Sequence, residues 1–386
     1  MLEYNWPLMR NSISFGDKLK LIQFILSSNR FTQGDKVKEF EEEWSRWLGA
    51  KHSLFVTSGS TANFLIVASI IEKYNLQRGD KVLVPACTWV TNINPIFQLG
   101  LQPIFCDVNI SNFSFDENEL SEIAKKHSDI QMVFTTHLLG FSANVKKYKE
   151  YFPNAIFIDD VCESHGCLDE ENHRVGSNSL GASFSFYYGH HMSTIEGGMI
   201  STNDEDLYDL MKLKRTHGLA RASSKFDDYA KKYSDIEKTF LFVTDGYNFR
   251  NTELAAVLGL AQLKKLDSFI ENRRVIYSKF VELINENENF YSLVNDSRNS
   301  SFCLPFICKT VEIKNRLVYR LNENSIEYRP IVAGNLLRQP YVNYKLETNK
   351  PVSNVDIIHE QGVYIGNNQF VKQSDVDNLK IILRKL

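Results

Sequence analysis

Short apolar runs recur through the first half of the chain, and several are separated by stretches with helical periodicity. The runs have strand length and are rich in β-branched and aromatic residues. They are 52-HSLFVTS-58, 81-KVLVPA-86, 102-QPIFCDV-108, 131-QMVFTTH-137 and 155-AIFIDD-160. The helical stretches are 60-STANFLIVASIIEKY-74, 117-ENELSEIAKKH-127 and 143-ANVKKYKEY-151. This alternation predicts an α/β fold with a mostly parallel sheet covered by helices.

The same pattern predicts two domains. Residues 1–50 are expected to form an arm and helices, and two further strands, 182-ASFSFYY-188 and 198-GMISTN-203, bracket a pair of histidines. After about residue 265 the pattern of apolar and polar positions changes, and a long helical run, 261–286, leads into mixed short strands and helices. We therefore predict an arm and large domain over residues 1–265 and a smaller α+β domain over residues 266–386.

Composition and charge exclude several classes of protein. The chain has 386 residues, of which 43% are hydrophobic and 24% charged, and its net charge is -3. This balance gives no strong positive field for nucleic acid or an anionic membrane. The longest apolar runs, such as 64-FLIVASII-71, are far shorter than the ~20 residues that span a bilayer. The first residues lack the features of a secretory signal, so the expected compartment is the cytoplasm.

Chemistry is expected at the carboxyl ends of the strands, where open parallel sheets bind ligands. The first strand runs into 57-TSGSTAN-63, a turn that offers two hydroxyls and a helix N-terminus; it is either a phosphate site or an ordinary helix cap. The fifth strand ends in 158-IDDVCESHG-166, whose acids could hold a metal, act as a base, pair with a pyridine nitrogen or form a salt bridge. Trp89 could stack on a flat ring or pack internally. The chain has no G-x-G-x-x-G and no Gly-Lys pair, so the Rossmann and Walker A motifs are both absent.

The order of these features resembles the DegT/DnrJ/EryC1/StrS family of sugar aminotransferases, which are fold-type I pyridoxal-phosphate enzymes with an aspartate aminotransferase-like fold. The likeness covers nearly the whole chain, from 31-FTQGDKVKEFE-41 to 363-VYIGNNQ-369. The stretch 246-GYNFRNTELAAVLG-259 matches the family's Y-N-[YF]-R motif. By position, the resemblance assigns the cofactor phosphate to Gly59, Ser60, Thr61 and Ser185, ring stacking to Trp89, the ring nitrogen to Asp160, and the ring hydroxyl to Glu163, where the family usually has Gln.

One feature of the family is missing. The stretch 185-SFYYGHHMSTIEGGM-199 places His190 where the family's cofactor-linked lysine stands, and no lysine occurs between Lys149 and Lys212. Imidazole cannot form that covalent link, so the cofactor is expected to be held without a tether and to work as pyridoxamine phosphate. His190 is the predicted catalytic residue because imidazole can still move protons near neutral pH. If this segment is extended, only one of His190 and His191 should face the cofactor.

A histidine at this position marks the 3-dehydratases of the family. The resemblance implies a lyase that removes the C3 hydroxyl of a nucleotide-linked 4-keto-6-deoxy sugar, with L-glutamate regenerating the pyridoxamine form. The expected substrate is GDP-4-keto-6-deoxy-D-mannose, and the expected pathway makes 3,6-dideoxy sugars of the lipopolysaccharide O-antigen. The alternatives are the same chemistry on another nucleotide or on a heptose, a nucleotide-sugar aminotransferase, and a non-catalytic relative that binds cofactor.

The resemblance also implies a partner and substrate contacts. Asn248 would reach the phosphate held by the neighbouring subunit, so a homodimer with shared active sites is expected. His217, Arg250 and Arg329 are candidate contacts to the sugar, its diphosphate or the glutamate carboxylate. Each could equally be a surface or ion-pair residue.

The cysteines argue against a metal centre. Six cysteines stand at 87, 106, 162, 167, 303 and 308, and none forms a C-x-x-C pair. A CDP-linked relative in the family carries an iron–sulfur cluster on closely spaced cysteines, and cluster ligation needs four thiolates together. Here the two closest pairs lie far apart in the sequence. We therefore predict no iron–sulfur cluster, no metal and no reductase partner.

Overall fold

The computed structural model describes residues 4–345 and 353–386 of the chain as two sheets and the helices around them. The helices are α1 Phe15–Ser27, α2 Asp35–Leu48, α3 Gly59–Tyr74, α4 Asn94–Gln98, α5 Glu117–Lys126, α6 Val145–Tyr151, α7 Glu205–Arg215, α8 Phe226–Lys232, α9 Glu253–Asn285, α10 Val311–Glu323, α11 Pro340–Lys345, α12 Ser353–Gln361 and α13 Gln373–Leu383. The strands are β1 His52–Val56, β2 Lys81–Pro85, β3 Gln102–Cys106, β4 Ile130–Thr136, β5 Ile156–Asp160, β6 Ala182–Ser185, β7 Gly198–Thr202, β8 Cys303–Ile307, β9 Tyr328–Pro330 and β10 Gly362–Gly366.

The larger sheet has seven strands in the order β1-β7-β6-β5-β4-β2-β3. The pairs from β6 through β3 are parallel, whereas β7 runs antiparallel to both β1 and β6. The predicted α/β fold with a mostly parallel sheet is therefore confirmed. Both faces are covered by helices, which is why most of the strand residues are buried and apolar.

Helix α3 packs on one face of the larger sheet. On the other face, α2 and α9 pack against β1, β6 and β7, and α5 and α6 pack against β2 to β5. The fully buried aliphatic side chains of α3 include Leu65, Ile66, Val67 and Ile70. Burying each such side chain contributes about 1.5–3 kcal/mol, which exceeds the few tenths of a kcal/mol per residue that helix propensity contributes. Packing against the sheet, rather than intrinsic propensity, therefore holds α3 in place beneath the turn that follows β1.

Helix α9 begins earlier than the predicted run and continues without a break through residue 265. The predicted domain boundary therefore falls inside a helix, and the division into two domains stays a prediction. The first turn of α9 also supports the N-terminal region. The carboxylate of Glu253 accepts from the backbone N–H groups of Gly34, Lys36 and Val37 at 2.8–2.9 Å, and so caps the start of α2.

The smaller sheet is antiparallel, in the order β8-β10-β9. The N-terminal arm packs on this part of the molecule, because the Trp6 indole donates to the Gly366 carbonyl at 2.9 Å and Trp6 forms a β-bridge with Ile326.

A separate finding concerns membranes. Within residues 4–345 and 353–386, no helix has both the length and the apolar character that crossing a bilayer requires.

Candidate active site

The carboxyl ends of neighbouring strands meet at one edge of the larger sheet. Asp160, the last residue of β5, pairs with Ser183 of β6. Ser185 ends β6 and Val56 ends β1, and both pair with Gly198 at the start of β7. The antiparallel β7 therefore places the turn after β1, the end of β6 and the end of β5 at the same edge, where a ligand can contact all three.

The turn between β1 and α3 presents a helix N-terminus to this edge. Ser58 caps the helix by accepting from the Thr61 N–H at 3.1 Å, and the Thr61 hydroxyl donates to the Ser58 carbonyl at 2.9 Å. The Thr61 hydroxyl is thus engaged in the cap, whereas Ser60 is exposed. A Cβ at Gly59 would lie 2.8 Å from the Cβ of Ser185, so glycine allows α3 to start against β6. The exposed serine and the positive end of α3 suit a phosphate group.

The Asp160 carboxylate is buried and held by three neutral donors. Its Oδ2 accepts from the side-chain amides of Asn63 and Asn92, both at 2.8 Å, and its Oδ1 accepts from the Cys162 N–H at 2.9 Å. No cation forms an ion pair with it in the described parts of the chain. A fixed carboxylate with neutral partners suits a ligand that carries positive charge, such as a protonated pyridine nitrogen.

Sequence reasoning missed both amides, although each stands inside a strand-end motif that it singled out. Asn63 ends the motif TSGSTAN, and Asn92 ends the motif PACTWVTN. An amide in each of two motifs at the same sheet edge is a usable signal, because a buried carboxylate needs donors.

Trp89 stands immediately before the short turn, residues 90–92, that carries Asn92. Its indole is 52% exposed. A large exposed aromatic side chain three residues before the amide that binds Asp160 is suited to stacking on a flat ring.

Glu163 provides a second carboxyl group at this edge. It is partly buried, and its Oε2 accepts from the Leu139 N–H at 2.9 Å. Burial and the nearby charge of Asp160 raise the pKa of Glu163 to about 7, although the Leu139 N–H acts in the opposite direction. Glu163 can therefore either donate or accept a hydrogen bond near neutral pH, as contact with a ring hydroxyl requires.

The two histidines occupy a turn rather than an extended segment, so the condition of an extended backbone is not met. The chain turns at residues 188–189. The imidazoles nonetheless differ in exposure. His191 is fully buried and its Nε2 lies 2.6 Å from the Ser300 carbonyl oxygen. His190 is partly exposed, and its Nδ1 has no hydrogen-bond partner among the described residues.

The environment keeps these imidazoles neutral. Burial, with a smaller effect of the Arg273 charge, lowers the pKa of His190 to about 3. The same two causes hold the pKa of His191 well below its ordinary value. His165 packs beside both rings, and burial together with the nearby histidine lowers its pKa as well. At neutral pH the His190 imidazole is therefore uncharged.

We expect acid to destabilise the fold as the pH falls from about 6.5 towards 3. The three histidines have folded-state pKa values below the ordinary 6.5, so the unfolded state binds more protons in this window and stability falls with pH. Between pH 4.5 and 7 the raised pKa of Glu163 makes the folded state bind more protons than the unfolded state. Glu163 therefore changes stability in the opposite direction and offsets the effect of one histidine. Thermal melts at pH 7.5 and 5 of the wild type and His165→Leu provide the measurement. The variant should lose less stability on acidification, and equal losses would contradict this explanation.

Three other predicted residues lie on two chain segments that pair with each other. Asn248 forms a β-bridge with Thr216, and the His217 N–H donates to the Tyr247 carbonyl at 2.8 Å. Arg250 Nε donates to Asn248 Oδ1 at 3.0 Å, and the Arg250 backbone pairs with the end of β1. Asn248 and His217 are exposed. Two chain segments that pair with each other therefore carry an amide, an imidazole and a guanidinium near the end of β1.

Arg329 is placed apart from this loop. It lies in β9, where its 55% exposed side chain forms an ion pair with Glu327 at 3.1 Å. No hydrogen bond or ion pair joins it to another predicted site residue within the described segments. An exposed pair of this kind contributes at most about 1 kcal/mol, so the pair leaves Arg329 available, and its role in substrate binding stays a prediction.

The cysteines are dispersed through the fold. None of the six forms a disulfide, and five are buried while Cys162 is partly exposed. In the part of the chain that the structure describes, no group of three or more His, Cys, Asp or Glu could hold a metal ion. The absence of an iron–sulfur cluster itself stays a prediction.

Together, the strand order and the strand-edge site define a fold-type I pyridoxal-phosphate protein. The DegT/DnrJ/EryC1/StrS aminotransferase family matches residues 15–383, and the chain belongs to this family. GDP-4-keto-6-deoxy-D-mannose 3-dehydratase of Escherichia coli O55:H7 is 34% identical over 98% of this chain and 100% of its own. The Yersinia pseudotuberculosis protein of the same name is 35% identical over 99% of this chain and 98% of its own.

A solved structure extends the likeness to three dimensions. GDP-4-keto-6-deoxymannose-3-dehydratase with a trapped PLP-glutamate geminal diamine has a TM-score of 0.89 and 30% identity. The match covers 98% of this chain and 100% of that chain. The predicted family and fold type are thus confirmed.

Proposed function

We propose that this protein is a 3-dehydratase that depends on pyridoxal and pyridoxamine phosphate. Its substrate is a nucleotide-linked 4-keto-6-deoxy sugar, which we take to be GDP-4-keto-6-deoxy-D-mannose because two relatives that match along the whole chain are named for it. The net reaction converts the C3–OH of the sugar to C3–H, while L-glutamate is converted to 2-oxoglutarate and ammonia. The product is a precursor of 3,6-dideoxy sugars of the O-antigen, and the compartment is the cytoplasm.

The observation that carries this proposal is His190. It follows β6 at the position of the family's cofactor-linked lysine, and the chain has no lysine between Lys149 and Lys212. Its imidazole is neutral at pH 7, because its pKa is lowered to about 3. A residue that cannot bind the cofactor covalently but can accept a proton favours dehydration over amino transfer to the sugar.

The residues of the sheet edge match the parts of the cofactor. We assign Gly59, Ser60, Thr61 and Ser185 to the phosphate, Trp89 to the ring face, Asp160 to the ring nitrogen and Glu163 to the ring hydroxyl. When bound, the cofactor supplies an amine that condenses with the C4 ketone and a protonated ring that withdraws electrons. None of these contacts is covalent, so the cofactor is expected to exchange with solution.

The protein's own contribution to the chemistry is proton transfer. With the cofactor bound, neutral His190 would accept the proton from its C4′ atom. The resulting imidazolium would then protonate the C3 hydroxyl as this group leaves. Asp160 meanwhile holds the positive charge of the ring nitrogen in place, because its two amide partners fix the carboxylate.

We further propose that the active unit is a homodimer with shared sites. Asn248 is exposed on this subunit, as expected of a side chain that contacts a phosphate in the neighbouring subunit. Helix α1 adds an exposed apolar stripe at helical spacing. The side chains of the stripe are Phe15, Leu19, Ile22 and Leu26, with exposed fractions of 75%, 48%, 52% and 82%. A stripe of this kind on a surface helix is typical of a subunit interface.

Subunit mixing tests the shared site. Asn248→Asp and His190→Asn subunits should each form inactive homodimers. In a mixed dimer one site collects both defects and the other has neither, so random exchange at equal amounts should restore about a quarter of native activity. Activity is measured after exchange has been verified by native mass spectrometry. Mixed dimers without activity would contradict the shared site.

The function is tested by turnover with a panel of nucleotide sugars. Purified protein is incubated in air, without a reductase, with pyridoxamine phosphate, L-glutamate and the 4-keto-6-deoxy sugar linked to GDP, CDP or dTDP. We expect mass spectrometry to show the loss of one oxygen from the GDP-linked sugar. A preference for the CDP-linked sugar, with activity dependent on iron and sulfide, would instead place the protein with the cluster-containing type, and no turnover of any sugar would support a non-catalytic role.

A further inference from the structure

The imidazole of His190 is placed by packing rather than by a hydrogen bond. Its Nδ1 has no partner in residues 4–345 and 353–386. The centroid of the Phe302 ring lies 5.3 Å from that of the His190 ring, and the centroids of the Tyr187 and His165 rings lie 6.1 and 6.3 Å from it. A catalytic base is usually oriented by a third group that hydrogen-bonds its second nitrogen. The orientation of the His190 imidazole therefore depends on the contacts that hold the loop of His190 and the Phe302 ring in place.

His191 supplies a fixed point in that loop. Its side chain is fully buried, and its Nε2 lies 2.6 Å from the carbonyl oxygen and 3.1 Å from the hydroxyl of Ser300. A carbonyl oxygen can only accept, so Nε2 carries the proton and donates it to Ser300. The Ser300 hydroxyl in turn donates to the His165 carbonyl at 2.6 Å.

The segment Ser300–Phe302, which we call the anchor segment, is itself held from the opposite side. The Ser300 N–H donates to the Gly140 carbonyl and the Phe302 N–H to the Leu139 carbonyl, both at 2.9 Å. Arg273 Nη1 donates to the Phe302 carbonyl at 2.9 Å. Any Cβ at Gly140, whose φ is 91°, would collide with the anchor segment. The anchor segment is therefore a rigid support.

We propose that His191 is a positioning residue for the reaction. Its hydrogen bond to Ser300 fixes the His190 loop on the anchor segment, and Phe302 at the end of that segment backs the His190 imidazole. This proposal rests on the proposed function, because its main consequence is the alignment of the proton-transfer group. Misplacing a catalytic group by about 1 Å can cost roughly 10²-fold in rate.

Two substitutions of His191 and one matched control test the proposal. In His191→Leu we expect kcat to fall about 10- to 100-fold, with the KM for the sugar within about 3-fold, because the loop assigned to the sugar lies elsewhere. His191→Gln carries an amide N–H at a similar reach and should recover most of kcat. His137→Leu makes the same chemical change at another buried histidine, whose Nδ1 accepts from the Ala143 N–H at 3.0 Å, and should keep kcat within about 3-fold.

A second readout does not depend on turnover. In ¹⁵N-histidine NMR of the cofactor-free protein, the His191 Nε2–H should exchange slowly, and His190 should give one set of signals that broadens or splits in His191→Leu. If the wild type fails to dehydrate the sugar, the proposed function fails, and the NMR signals still decide the anchor. Two results with an active wild type would overturn the proposal that His191 is a positioning residue. One is native kcat in His191→Leu, and the other is an equal loss of kcat in His191→Gln and His191→Leu. Should His191→Leu not fold, a large loss of kcat in His191→Gln overturns the proposal for His191, and slow exchange of the His191 Nε2–H with a single set of His190 signals in the wild type supports it.

Discussion

Replacing His190 with Asn is expected to slow dehydration by about 10²–10⁴-fold while the cofactor still binds. General base catalysis contributes that much to rate, and Asn retains polarity and approximate size but cannot accept the proton. Cofactor binding should persist because the groups assigned to it, such as Ser60 and Asp160, lie on other elements of the sheet edge. Single-turnover rates and cofactor titration by absorbance measure the two effects separately.

A lysine at the same position provides the matched comparison. His190→Lys should restore the covalent link, so borohydride should fix the cofactor to residue 190, and dehydration should be poor because the cofactor is held as the aldehyde form. Peptide mass mapping locates the modified residue. Near-native dehydration by His190→Asn, or borohydride fixation of the native protein at a distant lysine, would show that this account of the site is wrong.

The second large effect is expected at Asp160. Asp160→Asn removes the negative charge opposite the assigned ring nitrogen, and it turns an amide towards the donors Asn63 and Asn92, which need an acceptor. Removing one group that stabilises charge in a transition state costs roughly 10²–10³-fold in rate, and we expect that loss in kcat. Steady-state kinetics at saturating cofactor measure it.

Asp159 supplies the control for this change. It is the adjacent residue of β5 and is buried like Asp160, but its carboxylate lies near His137 on the opposite side of the strand, where it accepts from the Ser179 hydroxyl. Asp159→Asn should therefore lower the melting temperature with little change in kcat. Equal losses of kcat in the two variants would indicate a general defect in β5 rather than a role at the ring nitrogen.

Much of the sheet was predictable because strand and helix signals are local. The predicted runs 52–58 and 155–160 contain β1 and β5, and a Ser-Gly-Ser-Thr turn after a strand indicates a helix start on its own. The end of a strand was harder to predict where strand-forming residues continue into a turn. The run 182–188 has strand character throughout, yet β6 ends at Ser185, because the chain turns and leaves Tyr187 and Tyr188 45% and 37% exposed.

The support of the histidine loop could not be predicted from the sequence. Ser300 lies far from His191 in the chain, and a serine in a polar stretch has no pattern that marks it as a partner. Arg273 is buried without a carboxylate ion pair in the described residues and donates to backbone carbonyls, which any residue can supply. Such contacts depend on tertiary packing between the two halves of the chain, and a single sequence carries no record of that pairing.

The fate of the glutamate nitrogen tests the central claim most directly. Purified protein is supplied with ¹⁵N-L-glutamate, catalytic cofactor and GDP-4-keto-6-deoxy-D-mannose, and the ¹⁵N is followed by NMR and mass spectrometry. A 3-dehydratase based on His190 should release the ¹⁵N as free ammonia, one for each 2-oxoglutarate and each sugar that has lost its C3 oxygen. Recovery of the ¹⁵N in a 4-amino sugar that keeps its C3 hydroxyl would contradict the account and identify an aminotransferase.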